Sequence, residues 1–251
     1  MGTRIYRPGA ESFDTELGPV FCNILLADEI NRAPAKVQSA LLEVMQERQV
    51  TIGKNSFRMP DPFLVLATQN PIESEGTYPL PEAQVDRFMM KVLVDYPTMG
   101  EEMMVVQRSL TPPPTVGKVL PIETLQTYQR LTTQVYVDRA VAEYAIRLAA
   151  ATRKPAFFGL QQQAPYIAYG ASPRGSINLV HAARALALLR GRRYVLPQDI
   201  YEISKDVLRH RMVLTYQALA EGVTSDKILD AVLASVQQPR VDVSASEAAS
   251  A

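Results

Sequence analysis

The segment 22–27 ends in four consecutive apolar residues and is followed at once by two acids, Asp28 and Glu29. Because this run shows no alternation of polar and apolar positions, it predicts a parallel strand that is buried on both faces. Two acids can directly follow such a strand only where it reaches the edge of its sheet. The segment therefore predicts an α/β fold that presents neighbouring carboxylates at a sheet edge.

A second buried strand is predicted at residues 63–67, and it runs into the polar residues 68–70. Between the two strands, apolar side chains recur at helical spacing and are expected to face the sheet. They are Val37, Leu41, Val44 and Met45. Together these elements predict a β-α-β unit, in which the carboxyl ends of the parallel strands share the edge where such sheets bind ligands.

Two other segments predict β-hairpins. Residues 2–18 alternate weakly on either side of a Pro-Gly pair, and residues 50–59 alternate on either side of Gly53-Lys54-Asn55. From residue 98 onward helical periodicity takes over. The predicted helices lie at residues 137–153, 173–190 and 197–208, with a last one capped by Thr224.

We therefore expect three regions. Residues 1–97 form an α/β core, residues 98–240 form an all-α domain, and the Ser/Ala-rich residues 241–251 form a disordered tail.

Composition excludes several classes of protein. The 26 Lys and Arg residues balance 26 Asp and Glu residues, so no overall basic field favours nucleic acid, and we expect no nucleic-acid partner. No segment approaches the roughly 20 apolar residues that span a bilayer. The N-terminus is polar, which predicts a cytoplasmic protein without a membrane span. The single Cys22 excludes an internal disulfide.

Asp28 and Glu29 match the Walker B pattern of nucleoside-triphosphate hydrolases. Successive residues at a strand end point in different directions, so one acid can bind Mg²⁺ through water while the next activates the attacking water. The alternative is that one of them caps a following helix. A cap needs only one acid, and this favours the interpretation of Asp28 as the Mg²⁺ residue and Glu29 as the catalytic residue.

Asn70 ends the second strand segment. A neutral amide can donate and accept, so Asn70 can orient a water beside a terminal phosphate. The alternative is a local turn before Pro71.

Two arginines are candidates for contact with phosphate charge. Arg87 can act as an arginine finger across a subunit contact. The local sequence by itself favours the alternative, a surface ion pair with Asp86. Arg174 follows Ser172, a predicted helix N-cap, and a helix N-terminus together with a cation favours an anion. The alternative is a solvated arginine. The basic run 209–211 is interpreted as a solvated helix end.

The Walker A pattern G-x-x-x-x-G-K-[ST] that accompanies Walker B does not occur in the sequence. Gly-Lys occurs at residues 53–54 and 117–118, but Asn55 and Val119 follow instead of Ser or Thr. A strand, phosphate loop, helix and returning strand need about 30 residues, whereas 22 residues precede Asn23. We therefore expect that the sequence begins inside a domain and that this chain alone is inactive.

Several stretches resemble those of MoxR-type AAA+ ATPases. Residues 25–34 (LLADEINRAP) resemble the Walker B region, and residues 46–52 resemble the hairpin before sensor 1. Residues 67–71 resemble sensor 1, residues 76–88 the arginine-finger segment, and residues 170–174 sensor 2 of the lid. The resemblance implies a partial AAA+ parallel-sheet sandwich with two β-hairpin inserts, followed by an all-α lid domain.

The resemblance also implies roles and partners. Asp28 would hold Mg²⁺, Glu29 would polarise water, and Asn70 would be sensor 1. Arg87 would act on the ATP of the neighbouring subunit, and Arg174 would contact the γ-phosphate in cis. Family members form rings, usually hexamers, and remodel proteins in a chaperone-like manner, often with a partner that carries a von Willebrand factor A domain.

Two functions stay open at this point. The chain is either a truncated ATP hydrolase of this class or a short module that enters rings or binds partners without hydrolysing ATP. A DNA-linked AAA+ motor is a weaker third interpretation, because the net charge is zero.

Overall fold

The computed structural model describes residues 2–7, 9, 11–70 and 76–241. The chain divides into two compact units, Met1–Arg87 and Phe88–Ala251. The tail expected to be disordered lies outside the described residues, except for Val241.

The first unit contains the predicted β-α-β arrangement. Its described strands are β1 (Gly2–Arg7), β2 (Ser12–Leu17), β3 (Ile24–Ala27), β4 (Gln49–Ile52), β5 (Asn55–Arg58) and β6 (Leu64–Ala67), and its helices are α1 (Ala35–Glu47) and α2 (Glu82–Val85). Strands β3 and β6 pair in parallel, with Ala27 opposite Ala67. Helix α1 lies between them in the chain, so the prediction is confirmed.

Both predicted hairpins are present. Strand β1 pairs antiparallel with β2, and β4 pairs antiparallel with β5. The turn between β4 and β5 contains Gly53 at φ 65°, a conformation that glycine adopts without a Cβ clash.

Only one face of the β3–β6 sheet is packed. On that face Leu25 and Val65 contact an apolar cluster formed by Val20, Val44, Val50, Ile52, Met59 and Phe63. On the other face Ile24 and Leu26 are each 60% exposed, and Leu64 and Leu66 are 51% and 50% exposed. The prediction that β3 is buried on both faces is therefore wrong. The reason is that, within the described ranges, the apolar cluster that includes side chains of α1 and β4 covers one face of this two-stranded sheet, and the other face has no such cover.

Helices dominate the second unit. Its described helices are α3 (Met99–Ser109), α4 (Ile122–Gln134), α5 (Arg139–Arg153), α6 (Pro173–Leu189), α7 (Pro197–Leu208), α8 (Tyr216–Ala220) and α9 (Ser225–Ser235). The predicted helices correspond to α5, α6, α7 and α9. Their inward sides share one apolar core that includes Tyr144, Leu148, Leu179 and Ile200. An α/β unit followed by a helical lid agrees with the predicted fold class.

The lid is not purely helical. Strands β7 (Ile167–Tyr169) and β8 (Val213–Leu214) pair antiparallel. Strands of three and two residues are too short to show the alternation that identifies a strand in a sequence. None of the helices among the described residues is both long and apolar enough to cross a bilayer.

Along the chain, the division between the two units falls between Arg87 and Phe88, whereas the sequence predicts it after residue 97. The segment that follows the boundary is hydrogen-bonded into the lid, because the guanidinium of Arg211 donates to the carbonyl oxygens of Phe88 at 2.5 Å and Met89 at 3.2 Å. Arg211 is only 5% exposed. The interpretation of residues 209–211 as a solvated helix end is therefore wrong, since they hold the first residues of the unit in place.

Candidate functional site

The two acids follow β3 in a turn that is tied to the end of β6. Because Ala27 lies opposite Ala67, Asp28 and Thr68 are neighbours just beyond the strand ends. The Thr68 hydroxyl donates to Asp28 Oδ1 at 2.5 Å and accepts from the backbone N–H of Glu29 at 2.8 Å. The backbone of Thr68 continues the ladder, accepting from Ile30 N at 3.0 Å and donating to Ala27 O at 3.1 Å. One threonine thus holds the carboxylate of Asp28 and the backbone of Glu29.

Glu29 has an unusual backbone conformation. Its φ of 47° and ψ of 50° lie in the left-handed region, which costs a residue with a Cβ about 1–3 kcal/mol. Glu29 precedes a 3₁₀ turn at Ile30–Arg32, but its side chain makes no capping hydrogen bond there. Its carboxylate instead pairs with Arg32, Oε2 to Nε, at 3.0 Å. The alternative that Glu29 is a helix cap therefore finds no support.

Asn70 follows β6 at the same sheet edge as the acids. It is half-buried, and its carbonyl oxygen lies 3.5 Å from the amide Nδ2 of Asn31. The structure thus brings Asp28, Glu29 and Asn70 to the common carboxyl edge of β3 and β6.

Two buried amides behind this edge were not predicted. Asn31 is 9% exposed and Gln38 is 1% exposed. The sequence did hold a signal for Gln38, which precedes the buried Leu41 and Leu42 of α1 by three and four residues and so lies on the same helix face. Val37, which was expected to face the sheet, is 53% exposed instead.

Arg87 is exposed at the end of the first unit. It follows the short helix α2, and its backbone N–H donates to Gln84 O at 3.1 Å. The Gln84 side chain in turn donates to Ser39 Oγ of α1 at 3.4 Å. The arginine is therefore carried on a helix that is anchored to the β-α-β unit.

Arg174 lies at the start of α6 in the lid. Ser172 is the N-cap, and its Oγ accepts from the backbone N–H of Arg174 at 3.2 Å. The Arg174 side chain is exposed. Arg174 belongs to the second unit, and the two acids belong to the first. That Arg174 contacts the γ-phosphate of a nucleotide bound near the acids therefore stays a prediction.

The end of α5 contacts the segment that leads into α6 and holds it in place. The buried Thr152 hydroxyl accepts from Ala171 N at 2.9 Å and donates to Ala149 O at 2.7 Å. A Cβ on Gly170 would lie 2.4 Å from the backbone carbon and oxygen of Thr152. Only glycine allows this close approach, and it fixes where the helix begins.

The residues present fit Mg²⁺ bound together with a nucleotide. No group of three or more His, Cys, Asp or Glu side chains that could hold a metal occurs in the described part of the chain. Mg²⁺ does not require one, because it keeps several waters and commonly uses one or two carboxylates plus phosphate oxygens. Asp28, exposed at the sheet edge, supplies one such carboxylate.

A β-α-β unit with two acids at its carboxyl edge, followed by a helical domain, is the arrangement of the AAA class of proteins. Residues 1–90 match the model of the ATPase family associated with various cellular activities, and residues 161–232 match the AAA lid domain.

Similarity to known proteins identifies the family within this class. The chain is 54% identical to Chaperone MoxR1 of Mycobacterium tuberculosis over 96% of its own length and 64% of that protein. It is 42% identical to the protein YeaC of Bacillus subtilis, covering 95% of this chain and 72% of YeaC. The crystal structure of a candidate ATPase from Cytophaga hutchinsonii superposes with a TM-score of 0.89 at 47% identity, covering 96% of this chain and 73% of that one. The chain belongs to the MoxR family of AAA+ ATPases, and it spans about two thirds of the length of MoxR1.

Proposed function

We propose that this chain contributes the catalytic turn and lid of a MoxR-type ATPase that uses ATP hydrolysis to remodel partner proteins. The observation that carries the proposal is the turn in which Thr68 fixes Asp28 and Glu29 at the carboxyl edge of β3 and β6, with Asn70 on the same edge. This edge is where α/β sheets bind ligands.

In the proposed mechanism each residue has a separate task. Mg²⁺, when bound, would neutralise charge on the β- and γ-phosphates. Asp28 would hold the metal through water. Glu29 accepts a proton from the attacking water as the water oxygen bonds to the γ-phosphorus. The bond from that phosphorus to the bridging oxygen breaks, which leaves ADP and phosphate. Asn70 donates to or accepts from the attacking water and so orients it.

The two arginines would act on the phosphate charge from different sides. Arg87, carried at the exposed end of α2, serves as an arginine finger for the ATP of a neighbouring subunit, and Arg174 contacts the γ-phosphate from its own lid. A finger supplied in trans requires a neighbouring subunit, and we expect a ring, namely a hexamer. The expected partner carries a von Willebrand factor A domain.

The sequence contains no Walker A pattern, so we propose that this chain alone neither binds nor hydrolyses ATP. The same observation favours a second candidate function, a module that enters rings or binds partners without hydrolysis.

Calorimetric titration with Mg·ATP separates the two functions. The chain is compared with an extended protein, in which a segment bearing a Walker A motif precedes residue 1. We expect no saturable binding by the chain, and saturable binding with phosphate release by the extended protein. An extended protein that assembles and binds ATP but releases no phosphate would support the non-hydrolysing module instead.

A further inference from the structure

A single buried side chain joins the acid-bearing turn to a distant segment of the first unit. The amide Nε2 of Gln38 donates to the carbonyl oxygen of Ile30 at 3.1 Å and to that of Tyr78 at 2.9 Å. A primary amide nitrogen carries two hydrogens, so both are used. Ile30 directly follows Glu29, and Tyr78 lies on the path to Arg87.

Asn31 makes a second connection between the same segments. Its carbonyl oxygen accepts from Tyr78 N at 2.6 Å, and its side-chain amide points to Asn70 O at 3.5 Å. Its Oδ1 is buried and has no hydrogen-bond partner within the described ranges. Asn31 therefore contacts the segment that contains Asn70 and the segment that leads to Arg87.

The path from Tyr78 to Arg87 is short and restrained. Prolines at 79 and 81 fix two φ angles, and α2 begins directly afterwards at Glu82. Gln84 of α2 is hydrogen-bonded to Ser39, the neighbour of Gln38 in α1. Because this path is restrained, a displacement of the Asp28–Glu29 turn or of Tyr78 should also displace α2.

We propose that Gln38 and Asn31 are positioning residues that set the place of Arg87 from the Asp28–Glu29 turn of the same subunit. The position of the Arg87 that a subunit presents to its neighbour then depends on the Asp28–Glu29 turn of that same subunit. This inference rests on the proposed function, because it requires Arg87 to act in trans.

Mixed rings of the extended protein test the inference. In these rings the ATP is hydrolysed in one subunit, while the hydrogen bonds of Gln38 are changed only in its neighbour. One subunit type carries Glu29→Gln, so its own site is dead while its arginine is intact. The other carries Arg87→Ala, so its site is intact but its arginine is absent. Turnover in the mixture comes only from Arg87→Ala sites that face the arginine of a Glu29→Gln subunit.

Gln38→Glu is then added to the Glu29→Gln subunit alone. The substitution keeps the size of the side chain but places carboxylate oxygens against the carbonyl oxygens of Ile30 and Tyr78. We expect kcat in the mixture to fall about 10- to 100-fold, as for a misplaced catalytic group, with KM for ATP unchanged. Gln46→Glu, an exposed change in the same helix, is the matched control and should leave kcat unchanged.

Three results separate the possible failures. If the starting mixture shows no turnover, the arginine does not act in trans and the proposed function fails. If the mixture is active and Gln38→Glu leaves kcat at the control value, the inference is wrong. Should Gln38→Glu prevent ring assembly, Gln38→Met replaces it. This uncharged variant of similar length should give the same loss of kcat in assembled rings, and control-level kcat in those rings overturns the inference.

Discussion

The hydroxyl of Thr68 donates a 2.5 Å hydrogen bond to the carboxylate of Asp28 while it accepts from the backbone N–H of Glu29. A residue at the end of one strand thereby sets the orientation of the acid that should hold Mg²⁺ and the start of the acid that should activate water.

Thr68→Val keeps the shape of the side chain and removes its hydroxyl. A hydrogen bond to a charged group contributes about 1.5–3 kcal/mol, and less at an exposed site, so the chain should lose little stability in urea unfolding. Mg²⁺-dependent turnover of the extended protein should fall at least about tenfold, because Asp28 is no longer oriented. Thr68→Ser retains the hydroxyl and should retain most activity. Equal activity of the valine and serine variants would contradict the role of the hydroxyl.

The left-handed conformation of Glu29 predicts that two inactive variants at this position differ in stability. Asparagine tolerates this region better than glutamine does, and both substitutions remove the half-exposed ion pair with Arg32. We expect urea unfolding to give Glu29→Asn a free energy of unfolding about 0.5–1 kcal/mol higher than that of Glu29→Gln. Both variants should be inactive in the extended protein. A glutamine variant as stable as the asparagine variant would show that position 29 is not strained.

Gly170 should not accept a side chain. A Cβ at this position would lie 2.4 Å from the backbone of Thr152, so Gly170→Ala must displace the start of α6 or the end of α5. We expect a loss of about 1–3 kcal/mol in unfolding free energy, as for an overpacked site. Gly117→Ala is the control, because a Cβ there meets nothing within 4 Å. Equal stability of the two variants would argue against the close approach.

Tyr144 predicts a pH dependence at the alkaline end. Burial in the lid core, and next the charge of Tyr201, raise the pKa of Tyr144 to about 12 from 10.0. Because the folded state favours the neutral phenol, its contribution to stability is complete below pH 10 and is lost as the pH rises from about 10 to about 12. The loss is of order 2–3 kcal/mol.

Tyr144→Phe should remove most of this alkaline loss. At neutral pH the variant should be as stable as the wild type or slightly more stable, because the Tyr144 hydroxyl is buried without a hydrogen-bond partner in the described structure. Urea unfolding at several pH values measures both effects. Tyr128→Phe, at a half-exposed position, is the control and should leave the profile unchanged.

Local patterns in the sequence predicted most of the elements. The β-α-β unit, both hairpins and the helices α5, α6, α7 and α9 each follow from periodicity and caps that lie within a few residues. The sheet edge also follows, since parallel strands end together, and this placed Asp28, Glu29 and Asn70 on one edge.

What could not be predicted depends on contacts between distant residues. The role of Thr68 requires the register that places Ala27 opposite Ala67. The link from Gln38 to Tyr78 and that from Arg211 to Phe88 join residues far apart in the chain. The open face at Ile24 and Leu64 depends on which elements cover the sheet, and hydrophobicity along a strand does not reveal this.

Nucleotide trapping by Glu29→Gln tests the central claim most directly, namely that the turn after β3 is the catalytic turn. In the extended protein this variant should bind Mg·ATP with wild-type affinity and retain uncleaved ATP, while phosphate release falls below about 1% of wild type. Glu43→Gln, an exposed change in α1, should hydrolyse ATP normally. Phosphate release by Glu29→Gln at the rate of Glu43→Gln would contradict the assignment of Glu29 and with it the account of this site.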